Sequence, residues 1–535
     1  MSLRNRFLLP LALSALAVLA GCGSNSTPPT PPPSGGFSNG NLSGTYVFST
    51  TGTDNISGSL ITIVGEFSAN GSGGITGGTF DALDPNFTSI ISFQPISSNS
   101  VYKVTADGRG TATLGTNSGL GTITLDYVLS NSSHGLVTEF DGNGTGSGTL
   151  DLQTVITQSQ LTAYAFSLSG IDSNGNPLTT AGAFSLNGST GITGGVEDFN
   201  DFGFLYSNLG LGGTVTLNSD GATGTADLST TFGALTFDFY AIDSTHMKLI
   251  ETDDFPIMSG DAFLQASAAS TLNGSLAFTL AGLAPANSSA LPVAAGGFII
   301  ADGAGNVTNA STEDVNNAGS ATTVPIAFSG PYSVNGPRAV LTLTGLFPGS
   351  TFVGYPSTGG LLLLEMDTNG VTSGAALPQS STNLADTEGY GLNLTAINLS
   401  VGVEVDDIAE FTAASATSNP NMTGRIDENS APSTAPLTFN ANLSGTYQAP
   451  DSNGRGFLVV PSVNTINGGF GLTFYTVDGS NFLFIESDTS GQVGTGSFEL
   501  QNANDSALAK RVSARPMKPM ALPKAAAKAA WKHRK

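Results

Sequence analysis

The chain has 535 residues, enough for several domains, yet only 11% are charged and 69 are glycine, so long helices lack the charged residues that line solvent faces. Its formal charge of −23 at pH 7 is unevenly divided: between Cys22 and Gln501 stand 39 acids and six bases, a net of −33. Such a body repels nucleic acid and anionic lipid, which excludes nucleic acid as its partner.

Taken in order, the N-terminus reads as a processing signal. Arg4 and Arg6 precede an apolar run over 7–20 that is too short to span a bilayer, and Leu19-Ala20-Gly21-Cys22 follows. This stretch resembles the lipobox of bacterial lipoproteins, with the chain's single cysteine at the acylated position. The resemblance implies removal of residues 1–21, a diacylglyceride on Cys22 and attachment to the cell envelope. Gly23 stands where some bacteria place an inner-membrane retention Asp, so the outer membrane or cell surface is expected. With Cys22 acylated no intramolecular disulfide forms. Residues 22–40, rich in Pro, Ser, Thr and Gly, form an expected tether.

Four units follow, marked by an apolar run ending in Glu-x-Asp: Glu139 and Asp141, Glu251 and Asp253, Glu365 and Asp367, Glu486 and Asp488. Each is followed by a glutamine, at Gln153, Gln265, Gln379 and Gln501. A Gly-Ile-Thr-Gly-like marker repeats with Thr76, Thr193, Thr308 and Thr423 at spacings of 117, 115 and 115, and a turn repeats through Gly108, Gly221, Gly336 and Gly454. The units are 41–153, 154–265, 266–379 and 380–501, and a basic tail, expected to be disordered, covers 502–535.

Within the first unit, alternation and turn signals predict strands over 44–49, 60–67, 74–80, 87–93, 101–106, 110–114, 122–129, 136–141 and 145–152. Short connections predict an all-β antiparallel meander. It hides its edges as an eight-stranded up-and-down barrel or, alternatively, as a β-sandwich; two propeller blades per unit are a third arrangement. The opening Leu42-Ser43-Gly44-Thr45-Tyr46 loosely looks like the first strand of avidin-like or lipocalin-like barrels, whereas an immunoglobulin domain lacks its Cys pair and core Trp.

Residues two apart on a strand share a face, so each Glu and its Asp point the same way, with Met247 and Leu249 beside Glu251. If Lys248, on the opposite face, is solvated, Glu251 points inward or sits at a barrel mouth. A buried carboxylate needs donors, and Arg109, Arg338 and Arg455 start the strand that follows the Gly turn of their unit, with Lys248 standing in where the second unit has Ala222. An Arg–Glu pair within each unit is the expectation, beside a solvated acid at a strand end. The same carboxylates, and Asp-x-Asn-Gly turns at Asp141, Asp172 and Asp367, are candidates for calcium, although an EF-hand's flanking helices and twelfth-position Glu are missing. No catalytic residue or cofactor is predicted: His134 and His246 occupy turns, and neither Gly-x-Ser-x-Gly nor His-Glu-x-x-His occurs.

The nine bases after Gln501 suit an anionic envelope polymer, lipid headgroups or the acidic body. In composition and period the body resembles tandem β-repeat lipoproteins. The expected protein is a lipid-anchored, non-enzymatic envelope protein with a structural or adhesive role and a glycan or envelope polymer as partner. Its alternatives are a carrier of small ligands in barrel interiors and a calcium-binding envelope protein.

Overall fold

The computed structural model describes residues 36–504 except 85–89, 254, 267–271, 287–288, 415–420, 434–436, 464 and 466–467; the side chains of 285–290 are likewise left aside. The signal, Cys22, most of the tether, part of the strand predicted over 87–93 and the tail from 505 lie outside the described residues. What is described is β-structure with two 3-10 turns and no α-helix.

Alternation builds each module. In Ser43–Asp54, Tyr46 and Phe48 face inward onto Ile61, Phe67, Phe80 and Tyr127, while Val47 faces outward. The first strand of every unit pairs antiparallel with its last: Ser43–Asp54 with Gly144–Leu152, Ala163–Ile171 with Ile257–Leu264, Asn273–Ala286 with Val371–Pro378, and Gly389–Asn398 with Gln492–Leu500. That pairing curls the meander into a barrel, the favoured prediction. The third and fourth units are closed eight-stranded barrels. In the first two, the fourth strand is split. Ile91–Pro95 pairs with one neighbour and Val101–Val104 with the other, and Phe204–Gly210 and Gly212–Leu217 do the same in the second unit. Single bridges, Gly74 to Val101 and Gly191 to Thr214, tie each seam. All four interiors are filled by buried aromatic and aliphatic side chains.

The barrels are joined into a ring. Apolar outer faces meet between consecutive modules: Val47, Val64 and Leu83 against Tyr240, Ile250 and Ile257, then Ala181 and Ala183 with Tyr355 and Leu362, then Phe298 with Tyr475. Val128 and Leu136 of the first module meet Ile408 of the fourth. The repeated glutamines are the latches. Gln153 donates to Ala241 O at 3.0 Å and Gln379 to Thr476 O at 2.9 Å, each in the following module; Gln501 donates to Leu129 O at 3.0 Å in the first. These acceptors occupy equivalent positions, four residues beyond the partner of each Glu-x-Asp glutamate. The next backbone N–H repeats the pattern, with Thr154 to Ile242 O, Ser380 to Val477 O and Asn502 to Ser130 O, all at 2.7 Å. The second module's Gln265 instead forms a β-bridge with Ser357, and Ala266 N–H bonds Pro356 O at 3.2 Å. The fourth module thus grips the first by the means that join neighbours in sequence.

If the ring closes in this way, Gln501→Ala and Gln379→Ala carry similar costs, since each leaves two carbonyls without a donor. Urea unfolding is expected to show a loss of about 1–3 kcal/mol for each. A full effect at Gln379 with none at Gln501 would mean an open string.

Candidate functional site

The four Glu-x-Asp corners occupy equivalent places. Glu139, Glu251, Glu365 and Glu486 are buried, and Met247 and Leu249, which share the Glu251 face, belong to the barrel interior. The four aspartates accept backbone N–H groups from the adjoining strand: Asp141 from Thr124 at 2.8 Å, Asp253 from Thr236 at 3.1 Å, Asp367 from Thr351 at 2.9 Å and Asp488 from Gly471 at 2.7 Å. Around Glu365 the packing is tight. Thr372 Oγ1 donates to Oε2 at 2.7 Å, and a Cβ added at Gly349 would lie 2.3 Å from Oε1. Burial first, then the neighbouring Asp367, pushes Glu365 up to about 8, so this corner holds a proton near neutrality. Burial likewise drives Glu486 far above the ordinary range. Among the described residues no three His, Cys, Asp or Glu side chains gather as a metal site would require.

An asparagine of the preceding module clasps the carbonyls of these corners. Asn200 donates to Glu365 O and Gly370 O, both at 2.9 Å; Asn316 to Glu486 O at 2.9 Å; Asn429 to Glu139 O at 2.9 Å and Gly144 O at 2.7 Å. The first module has Leu83 at this place, inside the apolar contact with Tyr240.

The expected Arg–Glu pairs within units are not what forms. Two residues before each clasp stands a buried aspartate, Asp81, Asp198, Asp314 or Asp427, and the bases go there, across the module boundary. Arg338 binds Asp198 with a two-pronged fork at 2.7 and 2.8 Å, Arg455 binds Asp314 at 2.7 and 2.6 Å, and Arg109 binds Asp427 at 2.9 Å while also touching Asp107 at 3.1 Å. A tyrosine hydroxyl completes the first two, Tyr355 on Asp198 and Tyr475 on Asp314. Where Thr223 stands in the register position of the Arg, Tyr240 bonds Asp81; where Val128 replaces Tyr, Arg109 on Asp427 is joined by the backbone N–H of Asn440. The physical reason is desolvation: these aspartates are sealed between two barrels and need a donor from the opposite wall.

Lys248 departs from expectation too. It is 1% exposed rather than solvated, because the first module covers its face, and it binds Asp261 at 2.9 Å with Asp151 at 4.0 Å. It sits in a chain of charges that sequence reasoning missed. His134 lies between Asp151 at 2.6 Å and Glu499 at 3.1 Å, while His246 meets Asp261 at 2.7 Å and stacks on Phe263. Both histidines start strands rather than occupy turns; His134 pins the fourth module to the first, and Lys248, reaching Asp151, joins the first to the second.

Beside this chain a cavity of about 140 Å³ is lined by residues of all four modules, Ser49, Ser167, Asn393, Ser259 and Thr495 among them. Ser49, Ser167 and Asn393 are equivalent, each three residues after the first-strand residue that opens the pairing with the last strand. Gly148, Gly260, Gly374 and Gly496 also line it, and each lies five residues before its Gln, which is the signal that marks them in the sequence. A Cβ at any of these glycines would fall within 2.1 Å of a carbonyl oxygen on the adjoining strand. Hydroxyl and amide groups fit this axial space for hydrogen bonding to water or a small polar guest.

The buried acids make stability depend on pH with a definite sign. Burial raises Glu197 to about 8, Glu313 to about 9, Glu410 to about 8 and Asp126 to about 7. For His134 burial opposes the charge, but Glu499 and Asp151 outweigh it and bring the imidazole up to about 10. Groups raised in the folded state bind more protons there than when unfolded, so their stabilisation is complete below their ordinary values and fades as pH climbs through 7–10. Asp151 and Glu499 are held low by His134 despite burial and act oppositely, losing their contribution below pH about 4. The melting temperature is therefore expected to be highest near pH 5 and to fall steadily to pH 10; a curve that rises over that interval contradicts the assignment.

No protein-family model matches the chain, and no curated protein sequence matches it. Among solved structures it is similar to a mutant of the vaccine antigen transferrin binding protein B from Haemophilus parasuis Hp5, at 9% identity over 74% of this chain and 86% of that one, with a TM-score of 0.17. A superposition at that level carries no argument, and the fold rests on the strand pairing of this chain itself.

Proposed function

We propose that this chain is a lipid-anchored, non-enzymatic protein of the cell envelope whose product is a shape: a rigid ring of four β-barrels held out from the membrane for structural or adhesive contact. One observation carries the reading. Each barrel interior is packed with its own side chains, as in Tyr390, Phe411, Phe482 and Phe498 of the fourth, so the modules offer walls rather than containers. The axial cavity of about 140 Å³ is below the roughly 300–1,000 Å³ of ordinary ligand pockets, and a larger and more open space of about 550 Å³ lies between Thr322 and Thr323 of the third module and Arg455, Phe457 and Val459 of the fourth. Both described histidines are engaged by carboxylates, which leaves them poorly placed as general bases.

For the contacting surface the second module is favoured. Phe204 is 69% exposed, and Tyr206 lies edge-on to Phe232 at 4.5 Å, forming an aromatic patch on its split strand. Exposed aromatic groups of this kind mark interaction sites, and their flat faces suit the sugar rings of a glycan or envelope polymer. Outer-membrane or surface placement follows from the lipobox resemblance and Gly23.

In cells fed an alkyne fatty acid, the wild-type chain is expected to take up label and to need detergent for extraction, and Cys22→Ser to lose both properties. The purified body should bind envelope glycans, with Phe204→Ser/Tyr206→Ser weakening binding at least fivefold at unchanged melting temperature. An unlabelled wild type, or glycan binding indifferent to the double substitution, would refute the corresponding half of the proposal.

A further inference from the structure

We infer that the axial cavity binds one monovalent metal cation, sodium or potassium, with part of its water shell. The ion ties the first, second and fourth modules together at the axis, whether or not the chain is acylated. Alternation sets the lining. On the first strand of the second module Phe166 and Leu168 point into the barrel, so Ser167 and Ser169 point the other way, toward the axis. The fourth module repeats this, with Leu392 and Leu394 inside and Asn393 and Thr395 on the cavity. The space of about 140 Å³ holds several bodies the size of water, which takes about 30 Å³ in the liquid.

The wall offers oxygen lone pairs and few protons. Ser147 and Thr395 both donate to Asp406, at 2.6 and 2.7 Å, and Thr495 donates to Phe484 O at 3.2 Å, so what their hydroxyls have left is acceptor capacity. Asn393 Nδ2 donates to Asp407 O at 3.3 Å, a carbonyl that can only accept; this fixes the amide, and no described residue donates to its Oδ1. Ser167 carries the inference furthest: its Oγ is buried and has no hydrogen-bond partner among the described residues. Thr279 holds the equivalent position in the third module, and its buried Oγ1 has none either. Such groups carry a desolvation cost that a guest on the axis removes.

Charge selects the guest. Among the described residues that line the cavity Asp261 is the one ionisable group, and its Oδ1 takes Lys248 at 2.9 Å and His246 at 2.7 Å. Along the axis Asp151, Asp261, Asp406 and Glu499 stand against His134, Lys248 and His246, so one negative charge is left over even with every base protonated. Acceptors in surplus and a negative balance call for a positive guest. Hydroxyl and amide oxygens around one carboxylate suit a monovalent ion, whereas calcium takes several carboxylates.

The test melts the chain from residue 22 onward with Cys22→Ser, which contains every described residue, in choline chloride and, at the same ionic strength, in sodium or potassium chloride. The methylated nitrogen of choline cannot approach the wall's oxygens closely. Sodium or potassium is expected to raise the melting temperature by about 2 °C, with a saturating dependence on concentration. Ser167→Ala is expected to melt as the parent does in choline, since the hydroxyl it removes has no partner to lose, and to need at least fivefold more ion for half the effect. Counterions gathered by the acidic surface act alike on both proteins, whose charge is the same. Calorimetric titration with the responding ion is expected to count one site per chain. Identical melting in the three salts would leave water alone on the axis and overturn the inference. So would a Ser167→Ala that responds to the ion as the parent does, or one that is destabilised equally in every salt.

Discussion

An aspartate sealed between two barrels needs a donor from the facing wall to replace lost water, and that requirement organises this molecule. Asp198 and Asp314 each receive a fork from an Arg and a hydroxyl from a Tyr of the next module. An unpartnered buried charge costs several kcal/mol, so modules carrying such groups on their outer faces are committed to having neighbours. Four modules satisfy this only if the last finds the first. Arg109 on Asp427, together with Asn429 on the Glu139 corner, shows that it does.

The interfaces differ in chemistry while keeping one geometry. Between the first and second modules the asparagine clasp becomes Leu83, the Arg becomes Thr223 and the contact turns apolar around Tyr240. Between the fourth and first, Val128 removes the hydroxyl, and polar groups accumulate instead: Thr145 and Ser147 on Asp406, and Ser130 and His134 on Glu499. Each boundary covers its buried groups, some with donors and some with carbon. Distinct boundaries also distinguish four similar modules from one another, which disfavours mispairing during assembly.

Much of the fold is legible in the sequence because it depends on local rules. Alternation and Gly-containing turns locate the nine strand segments of the first unit, and the period follows from markers such as Thr76 and Gly108. The site is less legible because its partners lie in other modules. Membership of one repeat suggests that Arg109 serves Glu139, whereas its actual partner, Asp427, belongs to the fourth module, at a sequence separation of 318. The condition that Lys248 be solvated is not met for the same reason, since the wall covering it belongs to the first module. Spacing marks the glutamines but not their acceptors, and the axial glycines, five residues before them, take on meaning only once four barrels share an axis.

Ring closure is the claim on which the rest depends, and X-ray scattering from residues 36–504 in solution tests it directly. Four barrels of about 13 Å radius of gyration at the corners of a closed ring give a total of about 24 Å, and the same barrels strung in line give about 34 Å. The account predicts the smaller value, unchanged by dilution; a radius matching the extended string would contradict it.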